Sequence, residues 1–216
     1  MAKTKVEFVC RECGASHHQW AGQCLDCKEW NTLEEIVISQ ATSSKPESLK
    51  DLPASKVQNL TEIKAQNKDR LSTGLSELDR TLGGGLVDGS VVLIGGDPGI
   101  GKSTLILQAL AKLNSDNTTL YVSGEESAEQ VSERAIRLGI KEDILFIGET
   151  HLEKIIKLSK DVKPKVIVID SIQTMVTDLS ASAPGSVTQV RDCAAQLTQF
   201  AKQTNTILLM IGHVTK

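Results

Sequence analysis

Aromatic side chains are scarce in this sequence: three Phe, two Trp and one Tyr among 216 residues. A core with so few must be filled by Ile, Leu, Val and Ala, which suits a parallel sheet covered by helices better than a β-sandwich. A charge excess of one sign is also missing, since 24 Lys and Arg stand against 27 Asp and Glu, a net charge of −3. Bulk electrostatics therefore announces neither a nucleic-acid nor a membrane partner, and any DNA contact has to be local. No run approaches the roughly 20 apolar residues of a membrane span, and no basic segment followed by an apolar one opens the chain. The expectation is a soluble, cytoplasmic protein with no membrane partner. Disulfides are not expected, because four of the five cysteines form two Cys-x-x-Cys pairs, which in a reducing compartment indicates metal. With 40% hydrophobic residues, there is room for one substantial core plus a small extra module.

What is present is organised around Gly95-Gly96-Asp97-Pro98-Gly99-Ile100-Gly101-Lys102-Ser103-Thr104. From Gly96 onward this run satisfies G-x-x-x-x-G-K-[ST]. Apolar Val91-Val92-Leu93-Ile94 before it reads as a buried strand, and Leu105, Leu107, Ala109 and Leu110 after it as a helix. That is the context of a phosphate-binding loop. Glycines at 96, 99 and 101 let the backbone turn its N–H groups around a polyanion. Lys102 brings a cation to the β- and γ-phosphates, Ser103 offers a hydroxyl to Mg²⁺, and Thr104 adds a hydrogen bond to phosphate.

The first 38 residues hold Cys10-x-x-Cys13 and Cys24-x-x-Cys27. So short a segment cannot bury a self-sufficient core, and four thiolates in two such turns supply tetrahedral Zn²⁺. Iron is the alternative, because thiolates suit either metal. His17 and His18, between the pairs, are redundant beside four cysteines and read as exposed loop residues. Lys3, Lys5, Arg11 and Lys28 against Glu7, Glu12, Asp26, Glu29, Glu34 and Glu35 leave the module at net −2, a poor anchor for phosphates. It is expected to support another domain, a partner or a coupled motion. Residues 39–70 turn polar, with Pro46 and Pro53, and read as a linker whose clusters Leu49-Leu52 and Val57-Leu60-Ile63 can dock on the next domain.

Residues 71–216 read as the nucleotide-binding core. A short helix through Leu75, Leu78 and Leu82 is ended by three glycines, and strands then alternate with helices. Strands are predicted over 118–123, 144–147, 166–169 and 206–211, and helices over 127–138, 152–160 and 187–202. A Ser127-x-x-Gln130 box opens the first of these helices and Gly139 closes it. The last carries an apolar stripe at 187, 190, 194, 197 and 201, beside which Cys193 reads as a small core residue. Such alternation indicates a parallel sheet with crossover helices. Val166-Ile167-Val168-Ile169-Asp170 is four apolar residues and an aspartate, the pattern in which a strand-end carboxylate reaches Mg²⁺ through water. Glu125, just past a strand end, is the residue chosen to orient the attacking water, with Glu126 as the alternative. His213, at the end of the last strand, is placed to sense the γ-phosphate, or else is a solvent-facing histidine.

The cysteine module with Trp20-x-Gly22-x-Cys24 and Trp30-Asn31-Thr32, Ser72-Thr73-Gly74-Leu75-x-Glu77-Leu78-Asp79-Arg80, the triple glycine, the loop 96–104 and Ser123-Gly124-Glu125-Glu126-Ser127 together resemble the bacterial RadA (Sms) family of DNA-repair proteins. The resemblance implies an α/β, RecA-like P-loop NTPase with a mostly parallel sheet, preceded by a small Cys₄ zinc-ribbon-like module. It implies ATP, Mg²⁺ and Zn²⁺ as cofactors, binding of single-stranded DNA, and branch migration of recombination intermediates by a hexameric ring. A recombinase is an admissible partner. Glu125 then corresponds to the water-activating glutamate, Asp170 to the Walker B aspartate, His213 to the polar switch position, and 177–188 to a DNA loop, though that loop holds no Lys or Arg. Related KaiC-type ATPases share the loop but lack the cysteines, and a zinc-linked ATP-binding switch of that type is the alternative function. The sequence departs from the family at Leu25 and Lys28, where Pro and Gly are common. Family members also continue through a Lys-Asn-Arg-Phe-Gly motif and a Lon-protease-like domain, neither of which occurs in these 216 residues. The resulting expectation is ATP binding with feeble, weakly DNA-stimulated hydrolysis.

Overall fold

A computed structural model describes residues 5–10, 12–38, 59, 70–180 and 182–213. The predicted linker lies outside the described residues except for Asn59 and Arg70, and so do both of its apolar clusters. The chain divides into two compact units, with the main boundary between Lys68 and Asp69.

The first unit carries a three-stranded antiparallel sheet, in the order β2-β1-β3, from β1 (Lys5–Cys10), β2 (Ser16–His17) and β3 (Leu33–Ile38). Pairing runs from Lys5 opposite Ile38 to Cys10 opposite Leu33. The β-branched content of 33–38 explains the third strand, which periodicity in so short a segment does not reveal.

The second unit follows the predicted alternation. Helix α1 (Ser76–Thr81) leads into β4 (Val91–Gly96), α2 (Lys102–Asn114), β5 (Thr119–Ser123), α3 (Ala128–Arg137) and β6 (Leu145–Gly148). Then come α4 (Leu152–Val162), β7 (Val166–Asp170), α5 (Val187–Thr204) and β8 (Ile207–His213). The five strands pair in parallel, in the order β4-β8-β7-β5-β6. Every residue of β5 and β7 is buried, as a parallel strand covered on both faces requires. Leu120, Val122, Ile167, Ile169, Leu208 and Met210 pack with Leu152 and Ile155 of α4 and with Cys193 and Leu197 of α5. On the other face Tyr121, Val168, Leu209 and Ile211 pack with Ile106, Leu107 and Leu110 of α2 and Val131 of α3.

The predicted stripe of α5 holds at four of its five positions, Leu197 and Ala201 buried and Val190 and Ala194 packed partly buried against the same core. The buried residues of the helix are Gln189, Cys193, Leu197, Phe200 and Ala201, whereas Val187 is 49% exposed. Val187, the first residue of the helix, is the one position of the stripe that is exposed. Among the described residues, no helix is long and apolar enough to cross a membrane.

Candidate nucleotide site and metal centre

The chemistry-bearing residues of the second unit converge on one edge of the sheet because its strands are parallel and each presents the same end. The phosphate-binding loop follows β4, Glu125 follows β5, Asp170 ends β7 and His213 ends β8. Gly95 and Gly96 still belong to β4, paired with Gly212 and His213. Gly99 and Gly101 take φ of 80° and 95°, values that only glycine adopts without strain. Gly101 leads straight into α2, whose first turn, unlike those of α3 and α5, receives no side-chain cap. No side-chain cap there competes with an anion for the first N–H groups of the helix.

Lys102 is 7% exposed. Its Nζ donates to the carbonyls of Gly96 (2.8 Å) and Asp97 (2.7 Å) and lies 3.3 Å from His213 Nδ1. The other ring nitrogen of His213 lies 3.7 Å from Glu125 Oε1, which accepts a hydrogen bond of 2.5 Å from Ser171 Oγ. Lys102, His213, Glu125 and Ser171 thus form one polar chain across three strands. Gln173 Nε2 fixes the backbone of His213 at 3.0 Å. Glu126, the alternative carboxylate, is tied instead to Arg134 of α3.

A cavity of about 410 Å³ opens here, lined by Pro98, Gly99, Gly101, Lys102, Ser103, Thr104, Glu125, Glu126 and His213, and by Arg134 and Arg137. The two arginines were not anticipated. Their only sequence signal is an i, i+3 spacing on the helix after the glutamates, which is common on solvated faces. Asp97 and Ile100 do not line the cavity, and Ile100 is 64% exposed. Asp170 is not among the residues that line the cavity; it is buried and accepts a hydrogen bond from the Tyr121 hydroxyl. Burial, and then the charge of Asp170, push the Tyr121 pKa above its ordinary value, so that the hydroxyl stays a donor. Gly124 donates to the Asp170 carbonyl at 2.9 Å, and a Cβ on Gly124 would overlap Thr174 Oγ1.

A larger cavity, about 680 Å³, lies at the opposite end of the sheet, lined by Lys160, Lys163, Lys165 and Asn205 among others. The C-termini of α4 and α5 end there. Lysines at such ends offset carbonyl dipoles, and no phosphate-binding turn accompanies them, so the smaller cavity is the candidate site. Of the predicted DNA loop, Thr177 is held by Glu153 and Gln196, and Leu179 is 80% exposed.

The sulfur atoms of Cys10, Cys13, Cys24 and Cys27 all lie within 4.8 Å of one another, with Cys10 and Cys27 3.6 Å apart. A zinc–sulfur tetrahedron with bonds of about 2.3 Å has edges of about 3.8 Å, so the four residues fit a metal. His17 corrects an expectation. It is not an exposed loop residue: it belongs to β2, and its Nε2 lies 3.4 Å from Cys24 Sγ and 3.5 Å from Asp26 Oδ2. Pairing of β2 with β1, which places His17 opposite Phe8, turns the ring inward. His18 is exposed. Cys193 is buried, as expected, and burial raises its pKa to about 11.

Residues 58–216 match the family of AAA domains. The chain belongs to that family. Residues 8–35 match a rubredoxin metal binding domain, in agreement with the cysteine geometry. A DNA repair protein RadA from Pseudomonas aeruginosa is 52% identical, the match covering 100% of this chain and 48% of that protein. The Escherichia coli and Bacillus subtilis proteins of the same name are 49% and 45% identical over 100% of this chain and 48% of theirs. The resemblance to RadA is thus carried by the whole chain, which spans about half the length of these relatives. A solved DnaB-like replicative helicase superposes with a TM-score of 0.56 at 16% identity, covering 70% of this chain and 45% of that one. The fold of the family is therefore a RecA- and DnaB-like P-loop NTPase, here with a cysteine-rich zinc ribbon at its N-terminus.

Proposed function

We propose that this chain is the ATP-hydrolysing core of a cytoplasmic DNA-repair protein that works on single-stranded DNA and recombination intermediates as a hexameric ring. The observation that carries the reading is the chain Lys102, His213, Glu125, Ser171 beside a loop of uncapped amides. In it, residues 95–104 hold the phosphates, with Lys102 leaving the carbonyls of Gly96 and Asp97 to reach the β- and γ-oxygens. Ser103 and Asp170 would hold magnesium, which when bound would neutralise charge that develops on the phosphates. Glu125 orients the attacking water, and Ser171 holds that carboxylate in place. His213 touches both Lys102 and Glu125, so a change in either is felt at the end of β8. The loop 177–188 and the chain after β8 are the DNA-facing segments of the reading, and Cys10, Cys13, Cys24 and Cys27 hold zinc.

The test is steady-state ATP hydrolysis by the zinc-loaded chain, with and without single-stranded DNA, with Lys102→Ala as the blank. MgATP binding and slow hydrolysis that disappear in Lys102→Ala, and a modest rise with DNA, are expected. Binding and hydrolysis unaffected by Lys102→Ala would refute the site. A rate indifferent to DNA would remove DNA from the proposal.

A further inference from the structure

Tyr121 has no part in the scheme above, yet it is the group that touches Asp170. The register of β5 on β7 places Tyr121 opposite Val168 and Ser123 opposite Asp170. Alternation along both strands puts Tyr121 and Asp170 on one face as diagonal neighbours, within reach of an aromatic side chain. Tyr121 is 0% exposed, and its ring lies nearly parallel to Phe146, 6.4 Å between centroids and 15° between planes. The hydroxyl donates to Asp170 Oδ2. A buried hydroxyl requires a partner, and a carboxylate so held has one oxygen engaged and the other free.

We infer that Tyr121 is a positioning residue for the magnesium site: by engaging Oδ2 of Asp170 it fixes the carboxylate plane and leaves Oδ1 as the oxygen that would serve the metal. The inference rests on the assignment of Asp170 to magnesium made above. A phenylalanine would fill the core equally well at this position. The ring packs in an apolar cluster, and the hydroxyl hydrogen-bonds to Asp170, with the Arg134 and Glu126 charges also acting on it.

Equilibrium binding of a fluorescent ATP analogue to the full chain, titrated with MgCl₂, tests this. In Tyr121→Phe, binding without magnesium is expected to match the parent, while the magnesium midpoint rises about tenfold, the usual cost of removing a partner of a metal-site carboxylate. Phe146→Leu, which disturbs the ring stack but keeps the hydroxyl, is expected to leave the midpoint unchanged. An unchanged midpoint in Tyr121→Phe, or an equal shift in Phe146→Leu, overturns the inference. A parent protein that binds the analogue with no magnesium response overturns the assignment of Asp170 itself. Tyr121 is the chain's only tyrosine, so 13Cζ-tyrosine labelling of the unmutated, nucleotide-loaded protein gives a single NMR resonance that reads its hydroxyl. Should Tyr121→Phe fail to fold, a shift of that resonance on adding magnesium supports the inference and its absence overturns it.

Discussion

Lys28 takes φ of 63°, and Gly14, at the equivalent place after the first Cys-x-x-Cys turn, takes 73°. The left-handed backbone is thus a property of the turn, and a non-glycine residue sustains it there at a cost of about 1 kcal/mol. Glu149 is a second residue whose worth lies in backbone contacts. It accepts hydrogen bonds from the N–H groups of Thr150 and His151 and pairs with Lys154 at 2.9 Å. The His151 amide first, then Lys154 and the Thr150 amide, lower its pKa to about 2. A carboxylate depressed in the fold stabilises above its unfolded pKa and loses that contribution as pH falls. Glu149→Gln should therefore destabilise the protein at pH 7, with the difference from the parent closing between pH 4.5 and about 2. Urea unfolding across that range reads it, and a gap independent of pH would show that the charge is not what counts.

At the scale of elements, helix α3 shows what could be read in advance. Ser127 Oγ accepts from the Gln130 amide and the Gln130 side chain accepts from Ser127 N–H, which is the box expected from four consecutive residues. Ser127→Ala should cost about 1 kcal/mol in denaturant unfolding; no loss would place the start of the helix under other control. Features of this kind were legible because each depends on residues a turn or two apart: the phosphate loop, the caps and the glycine stops. The Tyr121–Asp170 bond, the inward turn of His17 and the two cavity arginines were not, since each depends on which strands or helices become neighbours. The stretch around Ser72 and Asp79 was legible only as a motif. In the fold it fastens a loop, with Ser72 Oγ, Thr73 N and Thr73 Oγ1 all donating to Asp79 at 2.6 to 2.8 Å.

On the scale of the whole molecule, the few aromatics fall into separate optical compartments. Both tryptophans, Trp20 and Trp30, lie in the first unit, where their indoles approach Gly22, and the sole tyrosine lies in the second. A metal-dependent module of this size loses its fold when the ion is withdrawn. Chelation should therefore alter tryptophan emission strongly while nucleotide binding by the second unit persists; unchanged emission after verified zinc loss would refute a structural role for the ion. The pairing of β4 with β8 has a mechanical consequence. Six consecutive residue pairs join the two parallel strands, and the last is Gly96 with His213. Tension applied along β8 at its His213 end loads all six pairs in shear at once. The strand thus acts as a stiff tie rod whose end pair lies where the phosphate loop begins.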